Sequence, residues 1–222
     1  DNLKALLVDN GAWFHPNLFA KCENGSLSLE IDGALSPGQS IIKVPQDLLV
    51  PAQNLHMSLR GNDFEIVPDD MTPLQMKIGH HIIEIYNITN KAALHRQECV
   101  WIDFKDHPEL LDMISYARTP NKHIQEKQSY IHGLPESHSD DDFTCWSFLH
   151  TRVLGQKGSS EKERIQVVMP IIDFLNHDHR GSPFIFNEDK NQGKFMHVQN
   201  QQPFIEKQEC FVTYGTYDAV DT

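Results

Sequence analysis

Apolar and polar positions alternate over two stretches in the first fifty residues. Leu27, Leu29 and Ile31 are separated by Ser28 and Glu30, and Ile41, Ile42 and Val44 follow the turn Ser36-Pro37-Gly38. A period of two predicts strands with one buried face, and Pro45 ends the second because it has no N–H for a ladder. Before them, Leu3, Leu6 and Leu7 share one helical face up to Asn10-Gly11, and His15-Pro16 keeps the chain extended. Residues 64–67 predict a further strand after Gly61-Asn62.

The period then lengthens. Leu74, Ile78, Ile82, Ile85, Ile88 and Ala92 recur every three or four positions, predicting one amphipathic helix that carries His80 and His81 on partly exposed positions. A second helix is predicted from Asp106, with Asp106 as N-cap, Pro108 in the first turn and Glu109 completing a capping box. Leu110, Leu111, Ile114 and Ala117 form its apolar face, and Thr119-Pro120 ends it. Residues 119–139 are polar and predict a surface excursion. A third helix is expected over 141–154, capped and solvated at its start by Asp140-Asp141-Asp142. Its stripe is Phe143, Trp146, Leu149 and Val153, and Gly155 stops it. Residues 156–164 read as a charged loop.

From Ile165 the β pattern returns. Residues 165–172 are strand-like but interrupted by Pro170. Residues 184–186 and 194–198 flank a polar turn and predict a hairpin, and residues 210–214 form a last strand closed by Gly215. The order β, helices, β predicts the α+β class, small β elements split by a helical insertion. The divisions are an N-terminal segment (1–60), the insertion (61–150) and a C-terminal segment (151–222).

Composition narrows the function classes. Thirty-one acidic residues face nineteen basic ones, a net charge of −12. That argues against sequence-independent nucleic-acid binding, which needs cations to release counterions, and favours a basic protein or peptide partner. Cys22, Cys99, Cys145 and Cys210 form no Cys-x-x-Cys pair, so they read as reduced thiols of an intracellular, cytoplasmic protein. No apolar run reaches the roughly 20 residues a membrane span needs. The opening lacks the basic and apolar segments of a signal peptide.

Two segments concentrate chemistry. In the run Met169-Pro-Ile-Ile-Asp-Phe-Leu-Asn-His-Asp178, an apolar strand is expected to run directly into Asn176-His177. In Glu206-Lys-Gln-Glu-Cys-Phe-Val-Thr-Tyr-Gly215, a polar turn leads into a strand ending on Tyr214. Taken alone, the Asp/His cluster at 173–179 allows a metal-dependent hydrolase, since His177 and His179 alternate and Asp173 and Asp178 supply oxygens.

Together the two segments resemble the hallmark motifs of SET-domain methyltransferases. Asn10-Gly11-Ala12, the stretch from 25 to 44, Pro45, a central helical insertion and Thr151-Arg152 resemble the Rubisco large-subunit lysine methyltransferase-like branch. The resemblance implies a SET fold of small β-sheets with a helical insertion and a pseudoknot-like C-terminal crossing. It implies a protein methyltransferase using S-adenosyl-L-methionine, acting on a lysine, or in some members a histidine, of a protein substrate. It assigns Tyr214 to catalysis, Asn176, His177, Arg152 and the bend Ser26, Leu27 and Ser28 to the cofactor, and Asp173, Phe184 and Phe186 to the substrate. No metal is required. Methyl transfer is an in-line displacement that depends on alignment and on a neutral amine. The branch has Gly-x-Gly where this chain has Ser26-Leu27-Ser28, and it continues past its tyrosine into a helical substrate-binding domain that these residues do not include. These departures frame a second expectation, a SET-like binding module without activity.

Overall fold

The alternation at 41–44 becomes β4 (Ser40–Pro45), whose Ile42 and Val44 are fully buried. It is the second strand of a five-stranded sheet. β1 (Trp13–Phe14) lies outside it, and β11 (Gly193–Gln199), β10 (Asn176–Asp189) and β13 (Phe211–Thr213) follow on its other side. Phe14, Ile42, Val198 and Phe184 lie in one register row across four strands. That row is why a six-residue apolar pattern near the start is stable: its partners come from the far end of the chain. The structure is a computed structural model that describes residues 2–23, 26–107, 139–157, 164–189 and 193–213, with 109, 110, 113, 129 and 131 between them.

A second sheet places β3 (Ser26–Ile31) between β2 (Leu18–Glu23) and β12 (Gln208–Glu209). A third joins β5 (Val50–Pro51), β9 (Arg164–Val168) and β8 (Val153–Lys157). A hairpin of β6 (Leu55–Arg60) and β7 (Asp63–Pro68) turns at Gly61, whose φ of 68° suits a residue without Cβ. Together with the helices, these small sheets make the α+β architecture expected from the sequence.

The first predicted helix is α1 (Asn2–Asp9), with Leu3 and Leu7 buried. The long stripe is two helices. α2 (Pro73–Ile88) starts on a capping box between Thr72 and Gln75, with Pro73 in its first turn. It buries Ile78, Ile82, Ile83 and Tyr86, and the chain then breaks at Asn90, whose φ is 53°. α3 (Lys91–Glu98) restarts from there and carries the buried Ala92. Ile88 is 73% exposed although the stripe included it. Ten residues beyond Ile78 fall about 80° short of three full turns, so Ile88 points off the buried face.

Asp106 closes α4 (Val100–Asp106) instead of opening a helix. Most of the helix expected after it, like most of the polar excursion, lies outside the described residues; Leu110, expected on its buried face, is 38% exposed. The third helix is α5 (Asp140–His150). Ser139 caps it and exchanges hydrogen bonds with Asp142, and its acidic first turn meets Lys105 and Arg96 through Asp140 and Asp141. It stops before Val153, which lies in β8. Residues 156, 157 and 164 of the expected loop pair within the β8–β9 hairpin.

The core joins helices and sheets. Phe148 of α5 stacks on Phe64 of β7 at 4.5 Å and meets Tyr86 of α2 edge-on at 5.0 Å, and Tyr86 meets Phe174 at 5.8 Å. Among the described residues no helix is long and apolar enough to cross a membrane.

Candidate functional site

The chain enters the site through a tight reversal after β9. The amide of Ile172 donates to the carbonyl of Pro170 at 2.8 Å, and Ile171 sits at φ 67°, ψ −43°. This is a γ-turn of the strained hand, and a β-branched side chain rarely adopts it. The surrounding core holds it there: Ile172, Phe174 and Leu175 are all buried. The reversal ends the expected apolar strand at Val168: a 3-10 turn (Ile172–Phe174) carries Asp173, and Asn176-His177 then emerges exposed as β10 begins.

Asp173 is turned inward, only 6% exposed. The Tyr86 hydroxyl donates to its carboxylate. Arg152, just past the end of α5, places Nη1 at 3.7 Å from that carboxylate and 3.3 Å from the Asp173 carbonyl oxygen. The guanidinium lies over the rings of Phe148 at 4.9 Å and Tyr86 at 5.8 Å. Burial raises the Asp173 pKa, against the opposing pull of Arg152, Tyr86 and Lys91. Burial lowers the Lys91 pKa, and the charge of Arg152 lowers it further. His95, 2.8 Å from the Ser147 hydroxyl, is pushed down to about 4 by burial and then by Arg152. Tyr86, Arg152 and Asp173 are thus engaged with one another, and His95 with Ser147.

Asn176 and His177 face the other way. β10 runs parallel to β13, with Asn176 opposite Phe211 and His177 opposite Val212. Asn176 Nδ2 donates to Glu209 at 2.6 Å, and His177 Nδ1 donates to the Val212 carbonyl at 3.2 Å. The register then slips: Ser182 is also opposite Val212, and Pro183 opposite Thr213, so residues 178–181 bow out of the pair. Opposite, Glu209 pairs with Glu30, and the Cys210 amide donates to Leu29 at 2.8 Å. The strand carrying residues 26–28 therefore runs alongside the segment that leads to Tyr214. The bowed residues and the 200–211 segment enclose a polar cleft of about 210 Å³, lined by Asp178, Arg180, Ser182, Asn200, Glu209 and Phe211 among others.

The expected site residues thus fall into distinct places. Asn176, His177 and the strand of Ser26, Leu27 and Ser28 come together around residues 209–212. Within that strand Ser26 is exposed and Ser28 half-buried, whereas Leu27 packs into the core. These residues pair regularly with β2 and make no bend. Arg152 and Asp173 belong to the buried cluster. Phe184 packs against the core, and Phe186 is 40% exposed on β10. Tyr214 lies outside the described residues.

The Asp/His cluster does not assemble a metal centre: among the described residues no three His, Cys, Asp or Glu side chains converge. Asp178 instead accepts from the Arg180 amide at 2.7 Å, which lowers its pKa, and His179 lies 3.5 Å from it.

Glu209 stood in the polar turn of the second motif without a role assigned to it, and Tyr86 and Gly181 were not singled out from the sequence. Tyr86 carries the one recoverable signal, a hydroxyl on the buried stripe of an isoleucine-rich helix that must find a partner inside.

No protein-family model matches the chain, and no curated protein matches it. Solved structures similar to the chain include the following three. One is the SET domain of LSMT bound to lysine and AdoHcy, with 13% identity and a TM-score of 0.48. Another is the same domain bound to methyllysine and AdoHcy, with 12% and 0.49. The third is Rubisco LSMT bound to AdoMet, with 11% and 0.45. In each case 99% of this chain aligns, and it spans 54% of the other.

Proposed function

We propose that this protein is a SET-type protein methyltransferase that uses S-adenosyl-L-methionine and acts on a lysine side chain of a protein substrate. The observation that carries the reading is the parallel pairing of Asn176-His177 with Phe211-Val212, two residues before Tyr214, beside the strand of residues 26–31. The three segments that the motif resemblance assigns to cofactor and methyl transfer thereby share one place.

The residues there suit the group. Asn176 is exposed and can both donate and accept, and Glu209 beside it offers a carboxylate to a cation. S-adenosylmethionine supplies an electrophilic methyl on a cationic sulfur. Tyr214 would orient the attacking amine with its phenol oxygen, and the proton lost from that amine passes to solvent. Phe186 offers apolar surface to the methylenes of a lysine side chain. Arg152 would act from behind the site, holding the turn that presents Asn176. The net charge of −12 favours encounter with lysine-rich partners.

The test is incubation of the protein with a lysate and methyl-labelled cofactor, followed by mass spectrometry. Label on a lysine, lost in Tyr214→Phe, is the expected result. Absence of both transfer and cofactor binding by calorimetry would overturn the reading. One observation favours a second reading, a SET-like binding module without turnover: residues 26–28 continue a regular strand with Leu27 in the core, where the branch has a glycine bend. Under that reading a protein partner binds and no methyl is transferred.

A further inference from the structure

Val212 is gripped from one strand at two points. His177 and Ser182, on either side of the bowed residues, both pair with it. His177 Nδ1 donates to its carbonyl oxygen at 3.2 Å. Gly181 closes the grip. A Cβ built there would lie 2.5 Å from the Val212 carbonyl carbon, 2.7 Å from its oxygen and 2.8 Å from its Cα. Every one of these neighbours is backbone, which has no flexible end to swing aside. The absence of a side chain at 181 is thus a condition of how closely β10 approaches β13. Gly193, the first residue of β11, has open space where its Cβ would stand.

We propose that Gly181 and His177 form a clamp on the Val212 peptide that positions the chain entering Tyr214. Through it, the segment assigned to the cofactor sets the placement of the segment assigned to methyl transfer. Gly181 is a positioning residue: it touches the strand and acts through it. The inference rests on the methyltransferase reading for its catalytic consequence, but the clamp itself is a property of the fold.

Gly181→Ala must push the Val212 backbone outward. A displacement near 1 Å at a reacting group lowers turnover by up to about a hundredfold, so kcat is expected to fall at least about tenfold. Cofactor affinity is expected to change by less than about threefold, because Asn176 and Glu209 keep their contact. Gly193→Ala is the control. It strains the backbone at φ 73° and lowers the melting temperature while keeping kcat near wild type. Equal kcat in Gly181→Ala and wild type would overturn the clamp, as would loss of kcat in Gly193→Ala in proportion to its loss of stability.

Should Gly181→Ala fail to fold, the other arm of the clamp decides. His177→Asn keeps an N–H in reach of the Val212 carbonyl and is expected to retain more turnover than His177→Ala; equality of the two would overturn the proposal. Should wild type transfer no methyl, the methyltransferase reading falls while amide exchange still judges the clamp. Faster exchange at Val212 and Thr213 in Gly181→Ala but not in Gly193→Ala supports it, and unchanged exchange overturns it.

Discussion

Asp173 and Asn176 stand three residues apart in one motif, yet they inhabit opposite kinds of surroundings. Asp173 is buried beside Tyr86 and Arg152, which both meet its Oδ2 inside the protein. Asn176 is exposed and touches one carboxylate at the edge of a cleft. The first is a place where polar groups are costly and must satisfy one another; the second is a place where they stay available. Spacing in a motif brings residues to one turn of chain. Burial decides which of them meets a ligand and which holds the turn.

The sharpest way to break this comparison is to empty the buried side. Asp173→Ala removes the acceptor of Tyr86 and the carboxylate facing Arg152, and is expected to lower unfolding free energy by about 3–5 kcal/mol in denaturant titration. Asp173→Asn keeps an oxygen for the Tyr86 hydroxyl and should recover most of that loss. If Asp173→Ala leaves stability unchanged and abolishes substrate binding, the two sides have been assigned the wrong way round.

On the exposed side, Asn176→Ala should weaken cofactor binding roughly tenfold in calorimetry, about 1.4 kcal/mol, with little change in melting temperature. A large loss of stability there would erase the distinction.

The pH response separates the regions more gently. His95 has a folded pKa of about 4, below its ordinary 6.5, so the unfolded chain binds the proton first. Its contribution to stability is therefore lost as pH falls from about 6.5 toward 4. Asp173 works oppositely. Its folded pKa lies above the ordinary 3.8, so its proton favours the fold in acid, and that contribution is lost as pH rises through the folded value. Stability curves of wild type and His95→Gln should diverge between pH 6.5 and 4; parallel curves would remove His95 from the buried cluster. The smallest effect is expected at Ile88, 73% exposed. Ile88→Lys should stay within about 0.5 kcal/mol of wild type, and a larger change would show that the end of α2 is covered.

Elements with a strong local period were legible in the sequence: β3, β4, the β10–β11 hairpin, and the apolar stripes of α2 and α5; their caps, Thr72 and Ser139, were not. The break at Asn90 was not, because the left-handed residue that divides α2 from α3 sits inside an unbroken apolar stripe. β6 and β2 were not, because their exposed faces are mixed and their pairing is supplied by neighbours. β8 was absorbed into the preceding helix because Val153 fits a stripe as well as a strand. At the candidate site, Asn176 and His177 were singled out by type and position. The burial of Asp173 depended on Tyr86, which comes from a helix far away in sequence and which no local pattern connects to it. Gly181 was silent, since a glycine in a polar run looks like a turn until the strand it admits is known.

The pairing of Glu30 with Glu209 has a consequence for how the protein is made. Nearly the whole chain separates these two residues, and joining distant segments is slow because the loop must close before contacts reward it. During synthesis, a polypeptide that has left the ribosome only as far as His177 has Phe64, Tyr86, Phe148 and Phe174 but neither Glu209 for Asn176 nor the Val212 carbonyl for His177. The contacts around Asn176 and His177 therefore arrive only with residues 209–212, in one step with closure of the second sheet. A ligand held there would add its binding energy to that closing step and stabilise the joined segments over forms that lack residues 209–212.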